Sequence, residues 1–134
     1  MAVVLDSDVV VGFLDRNDAL HEAADAAIRD LVREQRLLVS AATYAEVLTG
    51  ARLGHHDESQ VAGFFSSLIS MVLPVDVAVA DRAADLRSRF RALRMPDALI
   101  LAAADTEQDV EAIVTGDRQL TKVSGLACRV ELLQ

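Results

Sequence analysis

Short apolar runs alternate with longer amphipathic segments along this chain. Most of the runs are rich in Val, Leu and Ile and do not alternate between apolar and polar residues. This pattern is typical of strands buried on both faces. Pro74 indicates the end of the third strand or an edge position. We predict strands over residues 2–6, 36–40, 71–75, 111–115 and 129–133.

Between these runs, apolar residues recur at helical spacing. Asp18 starts the clearest example, and Gly50 is expected to end another helix. The predicted helices cover residues 7–14, 18–31, 43–50, 58–70, 76–93 and 96–106, and a short helix follows residue 117. Strands that alternate with helices predict an α/β fold, with a mainly parallel sheet of four to five strands covered on both faces.

The composition is that of one globular domain. A chain of 134 residues, 52% of them hydrophobic, can bury one core but is too short for two, so we expect a single domain over residues 1–134. Cys128 is the only cysteine and cannot form an internal disulfide, which favours a reducing cytoplasm. The N-terminus lacks a basic region, and acidic residues interrupt its apolar stretch, so we expect neither a signal peptide nor a membrane segment.

Four acidic residues stand beside apolar stretches. Asp6 ends the first strand, Asp117 follows the fourth, Asp97 comes after Pro96 at the head of an apolar helix, and Glu46 lies within a helix. Parallel α/β sheets bind ligands outside the carboxyl ends of their strands, where Asp6 and Asp117 fall. If the four carboxylates meet, their repulsion requires a divalent cation, and Mg²⁺ prefers such oxygen ligands.

Each of these acids also has a structural interpretation. Asp6 could cap the helix that follows it, and Asp97 could be an ordinary residue of a helix N-terminus. Asp117 could belong to a turn after the strand, and Glu46 could be a solvated helix residue. Only the joint occurrence of the four favours a metal site.

A basic stretch precedes Asp97 in a chain whose formal net charge is −8. That charge disfavours nucleic-acid binding by the whole surface, but it is compatible with a local basic patch and with a basic partner. Arg87, Arg91 and Arg94 fall on one face if the helix continues, and we expect at least one of them to contact the phosphates of an anionic substrate. Pairing with Asp85 or with another subunit is the alternative.

Four motifs together resemble the PIN-domain nucleases, and most of all their bacterial VapC-type toxins. The resemblance covers essentially the whole chain, in order and at similar spacing. Its motifs are Asp6-Ser7-Asp8 after the first strand, Ala45-Glu46-Val47-Leu48, Met95-Pro96-Asp97-Ala98-Leu99-Ile100-Leu101-Ala102, and Thr115-Gly116-Asp117. The resemblance implies a three-layer α/β/α fold and an endoribonuclease that depends on Mg²⁺ or Mn²⁺, is usually a homodimer and is neutralised by a cognate antitoxin.

Carried over by position, Asp6, Glu46, Asp97 and Asp117 would form the acidic quartet. Asp6 and Asp97 would contact the metal, Asp117 would complete its shell, and Glu46 would bind metal or orient the attacking water. Ser7 and Thr115 would support the site through their hydroxyl groups. Asp8 departs from many relatives, which carry a small polar residue there, and it could face the site or cap a helix. An antitoxin resembling VapB, with a basic segment, would enter the acidic cleft.

Two other interpretations remain open. Asp6 and Asp8 also fit the opening pattern of haloacid-dehalogenase-like phosphatases, as nucleophile and acid/base, although no catalytic lysine is evident and the chain is short for that fold. The chain could also be a degenerate PIN-like fold retained as a binding subunit, although every expected acid is present. His55-His56-Asp57 is expected to be a loop and helix cap rather than a metal site, and His21 to be exposed.

Overall fold

A five-stranded parallel sheet forms the centre of the protein. The computed structural model describes residues 1–134. The strands are β1 Ala2–Leu5, β2 Arg36–Ser40, β3 Ile69–Leu73, β4 Val110–Thr115 and β5 Arg129–Leu132. Their order across the sheet is β3-β2-β1-β4-β5, and every neighbouring pair is parallel. The predicted parallel sheet is confirmed, and the carboxyl end of β1 lies between those of β2 and β4.

Helices cover both faces of this sheet. They are α1 Ser7–Leu14, α2 His21–Glu34, α3 Ala41–Arg52, α4 Glu58–Ser67, α5 Val77–Arg89 and α6 Met95–Thr106, with a 3₁₀ helix over Arg118–Lys122. Side chains of β1 alternate between the faces. Ala2 and Val4 pack with residues of α5 and α6, whereas Val3 and Leu5 pack with residues of α1 to α4. The three-layer α/β/α architecture is thereby confirmed. None of the helices combines the length and the apolar composition needed to cross a membrane.

The α2 helix begins at His21 and not, as predicted, at Asp18. The Asp18 carboxylate accepts a hydrogen bond from the Leu20 backbone N–H at 2.8 Å, and its carbonyl accepts one from the His21 N–H. Asp18 therefore forms the turn that precedes the helix. His21, which was expected to be exposed, is half-buried, and its Nδ1 hydrogen-bonds the Gly12 carbonyl at 2.8 Å.

The α3 and α4 boundaries also differ from those predicted. The α3 helix continues past Gly50 to Arg52, and Gly54, with φ of 84°, lies beyond its end in the left-handed region that favours glycine. Gly50 is instead a packing position, because a Cβ there would lie 2.9 Å from the His56 ring. The α4 helix ends at Ser67, before the predicted residue 70, because β3 begins at Ile69.

The α5 helix ends at Arg89, although the apolar spacing predicts a helix to Leu93. After Arg89 the chain makes a turn, in which the Leu93 N–H donates to the Phe90 carbonyl, and this turn buries the Leu93 side chain. The Leu93 carbonyl accepts a 2.9 Å hydrogen bond from Arg87 Nε, which fastens the end of α5 to this turn. Arg91 and Arg94 therefore lie in the α5–α6 loop. The prediction that Arg87, Arg91 and Arg94 share one helical face is wrong.

Candidate active site

Asp6 lies at the carboxyl end of the central strand and is held by two hydrogen bonds. Its Oδ1 accepts from the backbone N–H of Ser7 at 2.7 Å, and its Oδ2 accepts from the Thr115 hydroxyl at 2.7 Å. The first bond makes Asp6 the N-cap of α1, as one interpretation predicted. The second comes from the end of β4, the neighbouring strand. Asp6 is only 4% exposed, so its carboxylate has one fixed orientation toward the sheet edge.

The turn after β4 is tied to the start of α1. The Gly116 backbone N–H donates to the carboxylate of Asp8, with distances of 3.0 and 3.2 Å to the two oxygens. A Cβ at Gly116 would lie 2.8 Å from Asp8 Oδ2 and 2.5 Å from Leu20 Cδ1, so only glycine fits this turn without displacement. Asp8 therefore fixes the turn after β4, a role that the sequence left open.

Asp117 comes next in this turn and caps the 3₁₀ helix. Its backbone N–H donates to Thr115 Oγ1 at 3.0 Å, and its Oδ1 accepts from the Gln119 N–H at 2.9 Å. The Thr115 hydroxyl thus donates to Asp6 and accepts from Asp117, which places both acids at the same edge of the sheet.

A hydroxyl chain connects α1 to α3. Ser7 Oγ donates to Glu46 Oε1 at 2.8 Å and lies 3.0 Å from Thr43 Oγ1. Thr43 and Glu46 are three residues apart on α3 and therefore share a helix face. Thr43 is fully buried. Because Ser7 follows Asp6 directly, this chain holds the Glu46 carboxylate near the end of β1.

Asp97 lies in the first turn of α6, the helix that packs on the face of the sheet opposite to α1 and α3. Helix N-termini favour an anionic side chain. Arg94, just before the helix, places its Nε 3.9 Å from Asp97 Oδ2, too far for a hydrogen bond. The Arg94 side chain is 82% exposed, so this cation remains free to turn toward a ligand.

The acidic side chains described above line one cavity of about 600 Å³, which we call the acidic cavity. All four predicted acids, together with Ser7 and Asp8, belong to its lining. Arg94 supplies the only Lys or Arg side chain among the lining residues. The complete lining is Asp6, Ser7, Asp8, Val11, Asp15, Asp18, Glu46, Gly50, His55, His56, Arg94, Asp97 and Asp117.

The electrostatics of the acidic cavity show a shortage of positive charge. Burial and, second to it, the charge of Asp8 raise the pKa of Asp6 to about 7, against the lowering effect of the hydrogen bonds from Thr115 and Ser7. Burial also raises the pKa of Asp8 and the pKa of Asp97, with the charge of Asp117 acting in the same direction on both. Arg94 only partly offsets this effect at Asp97.

The donor set fits a hard divalent cation. The oxygens are carboxylates, and one bound cation would relieve the repulsion between them. No group of three or more His, Cys, Asp or Glu side chains is arranged to hold an ion directly. The predicted trio of Asp6, Asp97 and Asp117 shares the cavity without forming a finished ligand set. This suits Mg²⁺, which usually keeps several waters and needs only one or two carboxylates.

Sequence reasoning missed several residues of the site. Thr43 was given no role, although its position one helical turn before Glu46 could have indicated it. Asp15, Asp18, His55 and His56 also line the acidic cavity. The two histidines do lie in a loop, and Asp57 caps α4 by accepting from the Gln60 N–H at 3.1 Å, as predicted.

Comparison with known families agrees with this fold. A model of the PIN domain matches residues 3–126 of the chain. The chain belongs to the PIN domain family. Among curated proteins, none matches the chain significantly.

Several solved structures share the fold. VapBC2 from Rickettsia felis, bound to a DNA fragment from its promoter, has a TM-score of 0.77 at 13% identity, with 100% of both chains covered. FitAcB from Neisseria gonorrhoeae has a TM-score of 0.73 at 22% identity, covering 96% of each chain. VapC20 from Mycobacterium tuberculosis, a Sarcin-Ricin loop cleaving toxin, has a TM-score of 0.70 at 16% identity, covering 91% of this chain and 96% of its own.

Proposed function

We propose that this protein is a metal-dependent endoribonuclease of the VapC type, the toxin of a toxin–antitoxin pair. One observation carries the proposal: Asp6, Glu46, Asp97 and Asp117 come from four separate segments and line one cavity at the edge of the sheet. Membership of the PIN domain family and the likeness in fold to VapC structures support it.

Asp6 and Asp97 are the residues that would hold Mg²⁺ or Mn²⁺, and Asp117 would complete the shell directly or through water. The cation, when bound, would lower the pKa of a water and offset charge on the phosphoryl oxygens. The chain's own contribution is to fix these oxygens before substrate arrives. Thr115 and Ser7 do so at Asp6 through two bonds of 2.7 Å each.

Glu46 would orient the water that attacks phosphorus, or bind the metal. Its Oε1 accepts a 2.8 Å hydrogen bond from the Ser7 hydroxyl, which is also hydrogen-bonded to the Thr43 hydroxyl. Attack by water with departure of the 3′-oxygen leaves a 5′-phosphate and a 3′-hydroxyl. A 2′,3′-cyclic phosphate would require the RNA's own 2′-hydroxyl as nucleophile, and finding it would exclude this mechanism.

The arginines before α6 would bind the RNA backbone. Arg91 has no acidic partner, and Arg94 is mostly exposed with one long contact to Asp97. Both are therefore available to phosphates. Arg87 would act indirectly, because its Nε is engaged with the Leu93 carbonyl at 2.9 Å. It would fix the loop that presents the other two.

The expected partners follow from charge and from the family. A basic segment of a VapB-like antitoxin would enter the acidic cavity and compete with metal or substrate. The solved complexes that share this fold include a toxin–antitoxin complex from Klebsiella pneumoniae. A homodimer and a cytoplasmic location complete the proposal.

The phosphatase alternative gains no support from the geometry. A phosphatase of this class needs a catalytic lysine, and no lysine lines the acidic cavity, where Arg94 is the only Lys or Arg side chain. Asp8, the proposed acid/base, is bound to the Gly116 backbone.

The proposal is tested by incubating the purified protein with total RNA in Mg²⁺, in Mn²⁺ and in EDTA, followed by sequencing of the cleaved ends. We expect cleavage only with metal, with ends that carry a 5′-phosphate. No cleavage of any RNA with either metal would favour the binding-subunit alternative instead.

A further inference from the structure

A second cavity adjoins the acidic one, between the α5–α6 loop and the 3₁₀ helix Arg118–Lys122. We call it the side cavity. Its volume is about 440 Å³, within the range of sites that take small organic groups. Arg94, Asp97 and Asp117 line both cavities. A ligand that extends out of the acidic cavity past these three residues would therefore enter the side cavity.

One part of the lining of the side cavity is apolar. Leu93, Leu120 and Val123 contribute to it, each is at most 9% exposed, and all three belong to the core on the α5 and α6 side of the sheet. Phe90, half-buried, lies beside them. A surface of this kind accepts the flat face of an unstacked nucleobase without losing hydrogen bonds.

The remaining lining carries free polar groups. Arg91, Gln119 and Lys122 line the side cavity and are exposed. The side chains of these three residues make no hydrogen bond or ion pair within the protein. The lining of the side cavity has three basic side chains, Arg91, Arg94 and Lys122, against the two acids Asp97 and Asp117, in a chain with 21 acidic and 13 basic side chains overall. These basic side chains match the charge of a phosphate backbone.

Both walls of the side cavity are fixed before any ligand binds. Arg87 Nε holds the Leu93 carbonyl at 2.9 Å, which sets the position of the α5–α6 loop. On the opposite wall, Asp117 Oδ1 accepts from the Gln119 backbone N–H at 2.9 Å. Gln119 is thus positioned by one of the four acids of the proposed catalytic site. A base in the side cavity would therefore have a defined place relative to those acids.

We propose that the side cavity binds one unpaired nucleotide of the RNA substrate, next to the phosphodiester that is cleaved. The base lies against the apolar wall, the Gln119 amide reads its edge, and Lys122 and Arg91 hold the adjoining phosphates. A side-chain amide can donate to and accept from one base edge, which makes it a base-selective group. This assignment rests on the proposed nuclease function and adds to it the residues that set base preference.

Single-stranded RNA fits these features better than other polyanions. In a duplex the faces of the bases are stacked and cannot reach the apolar wall. An acidic peptide that extended into the adjoining acidic cavity would be repelled by the carboxylates there. The predicted substrate is therefore a loop or an unpaired stretch.

The first test measures binding of fluorescently labelled single-stranded RNA to the full chain with Ca²⁺ in place of Mg²⁺, with RNA integrity checked on gels. Lys122→Glu should weaken binding roughly tenfold and lower the salt dependence. Arg33→Glu is the matched control, because Arg33 is exposed on α2 and lines neither cavity, and it should change the affinity less than about twofold. Equal effects of the two reversals, or no RNA binding at all, would overturn the proposal.

The second test measures base preference with four homopolymeric RNAs. Gln119→Ala should reduce binding of the preferred base by about fivefold or more relative to the other three. Gln108→Ala, in the exposed turn between α6 and β4, should leave the ranking unchanged. An unchanged ranking in Gln119→Ala would reject base reading by this residue.

The experiments can reject the nuclease function and the nucleotide site in the side cavity independently of each other. RNA binding that depends on Lys122 and Gln119 without cleavage in Mg²⁺ or Mn²⁺ would keep the side-cavity assignment and reject the nuclease. Metal-dependent cleavage that responds to neither substitution would keep the nuclease and reject the side cavity.

Discussion

The Thr115 hydroxyl donates a 2.7 Å hydrogen bond to Asp6 Oδ2, although the two residues are 109 positions apart in the chain. The bond joins the ends of the adjacent parallel strands β1 and β4. It is fully buried, and the same hydroxyl accepts from the Asp117 N–H. One threonine therefore orients one acid of the proposed quartet and positions another.

Thr115→Val should destabilise the protein by about 1–3 kcal/mol, because a buried carboxylate loses a donor while side-chain volume is kept. It should also raise the pKa of Asp6, since the Thr115 hydrogen bond lowers it. Urea unfolding measures the first effect and NMR titration of the carboxyl the second. Thr121→Val, on the exposed 3₁₀ helix, is the control and should change stability by less than ~0.5 kcal/mol. Equal effects of the two changes would mean that the buried bond has no special role.

Asp97→Asn should lower metal-dependent RNA cleavage by at least ~100-fold, because it removes a proposed metal contact. The fold should survive, since burial raises the pKa of Asp97 and so disfavours its charged form. Asp81→Asn, on the exposed side of α5, is the matched control and should retain activity. Cleavage rates measured beside thermal unfolding of each variant separate loss of chemistry from loss of structure. Retained cleavage in Asp97→Asn would remove this residue from the site.

The metal-free protein should lose stability as pH rises from about 4 to about 7. Folding raises the pKa of Asp6 from 3.8 to about 7, so the folded state keeps a proton that the unfolded state releases. The resulting stability is complete below pH ~4 and is lost through pH ~7, by at most about 4 kcal/mol. Urea unfolding across this range in EDTA should show the decline, and added Mg²⁺ should reduce it. A flat profile, or the same decline in Asp6→Asn, contradicts the assignment to Asp6.

Gly116→Ala should destabilise the protein by about 1–3 kcal/mol and impair cleavage, because the new methyl group would overlap Leu20 and the Asp8 carboxylate. Gly63→Ala is the opposite control. Gly63 lies within α4 with no atom within 4 Å of an added Cβ, so alanine there should stabilise by about 0.5–1 kcal/mol. Thermal unfolding distinguishes the two, and a neutral Gly116→Ala would mean that the ends of the Leu20 and Asp8 side chains move aside at little cost.

Reversing the charges of Arg91 and Arg94 together should weaken RNA binding and reduce its salt dependence. Arg87→Glu should act instead through the loop, by breaking the bond to the Leu93 carbonyl and lowering stability. Binding measured at several salt concentrations, beside unfolding curves, separates the two effects. Salt dependence unchanged by the double reversal would leave these arginines without a role in phosphate binding.

The sequence predicted most of the fold because the three central strands, β1, β2 and β4, are largely buried and apolar and lie between amphipathic segments. It also predicted that Asp6 and Asp117 follow strands, and the strand-end rule for parallel sheets then places them at one edge. Asp97 and Glu46 reach that edge only through the packing of α6 and α3 on opposite faces. The family resemblance suggested that Asp97 and Glu46 meet the other two acids, but the spacing of residues along the chain did not predict it.

Other features depend on contacts that a local pattern does not contain. The apolar spacing of Leu86, Phe90 and Leu93 continues beyond the true end of α5, because a turn buries Leu93 as well as a helix would. Asp8 binds Gly116 across 108 positions of the chain, and Thr43 meets Ser7 across 36. Pairings of this kind exist only once the sheet has brought distant segments together.

The central claim is that the acidic cavity holds the divalent cation used in RNA hydrolysis. Anomalous X-ray diffraction from crystals soaked in Mn²⁺, at a concentration that supports cleavage, tests it most directly. We predict an anomalous peak in the acidic cavity, in contact with Asp6 or Asp97, which is absent in crystals of Asp97→Asn. A cavity without such a peak, or a peak bound only elsewhere on the protein, would contradict the account.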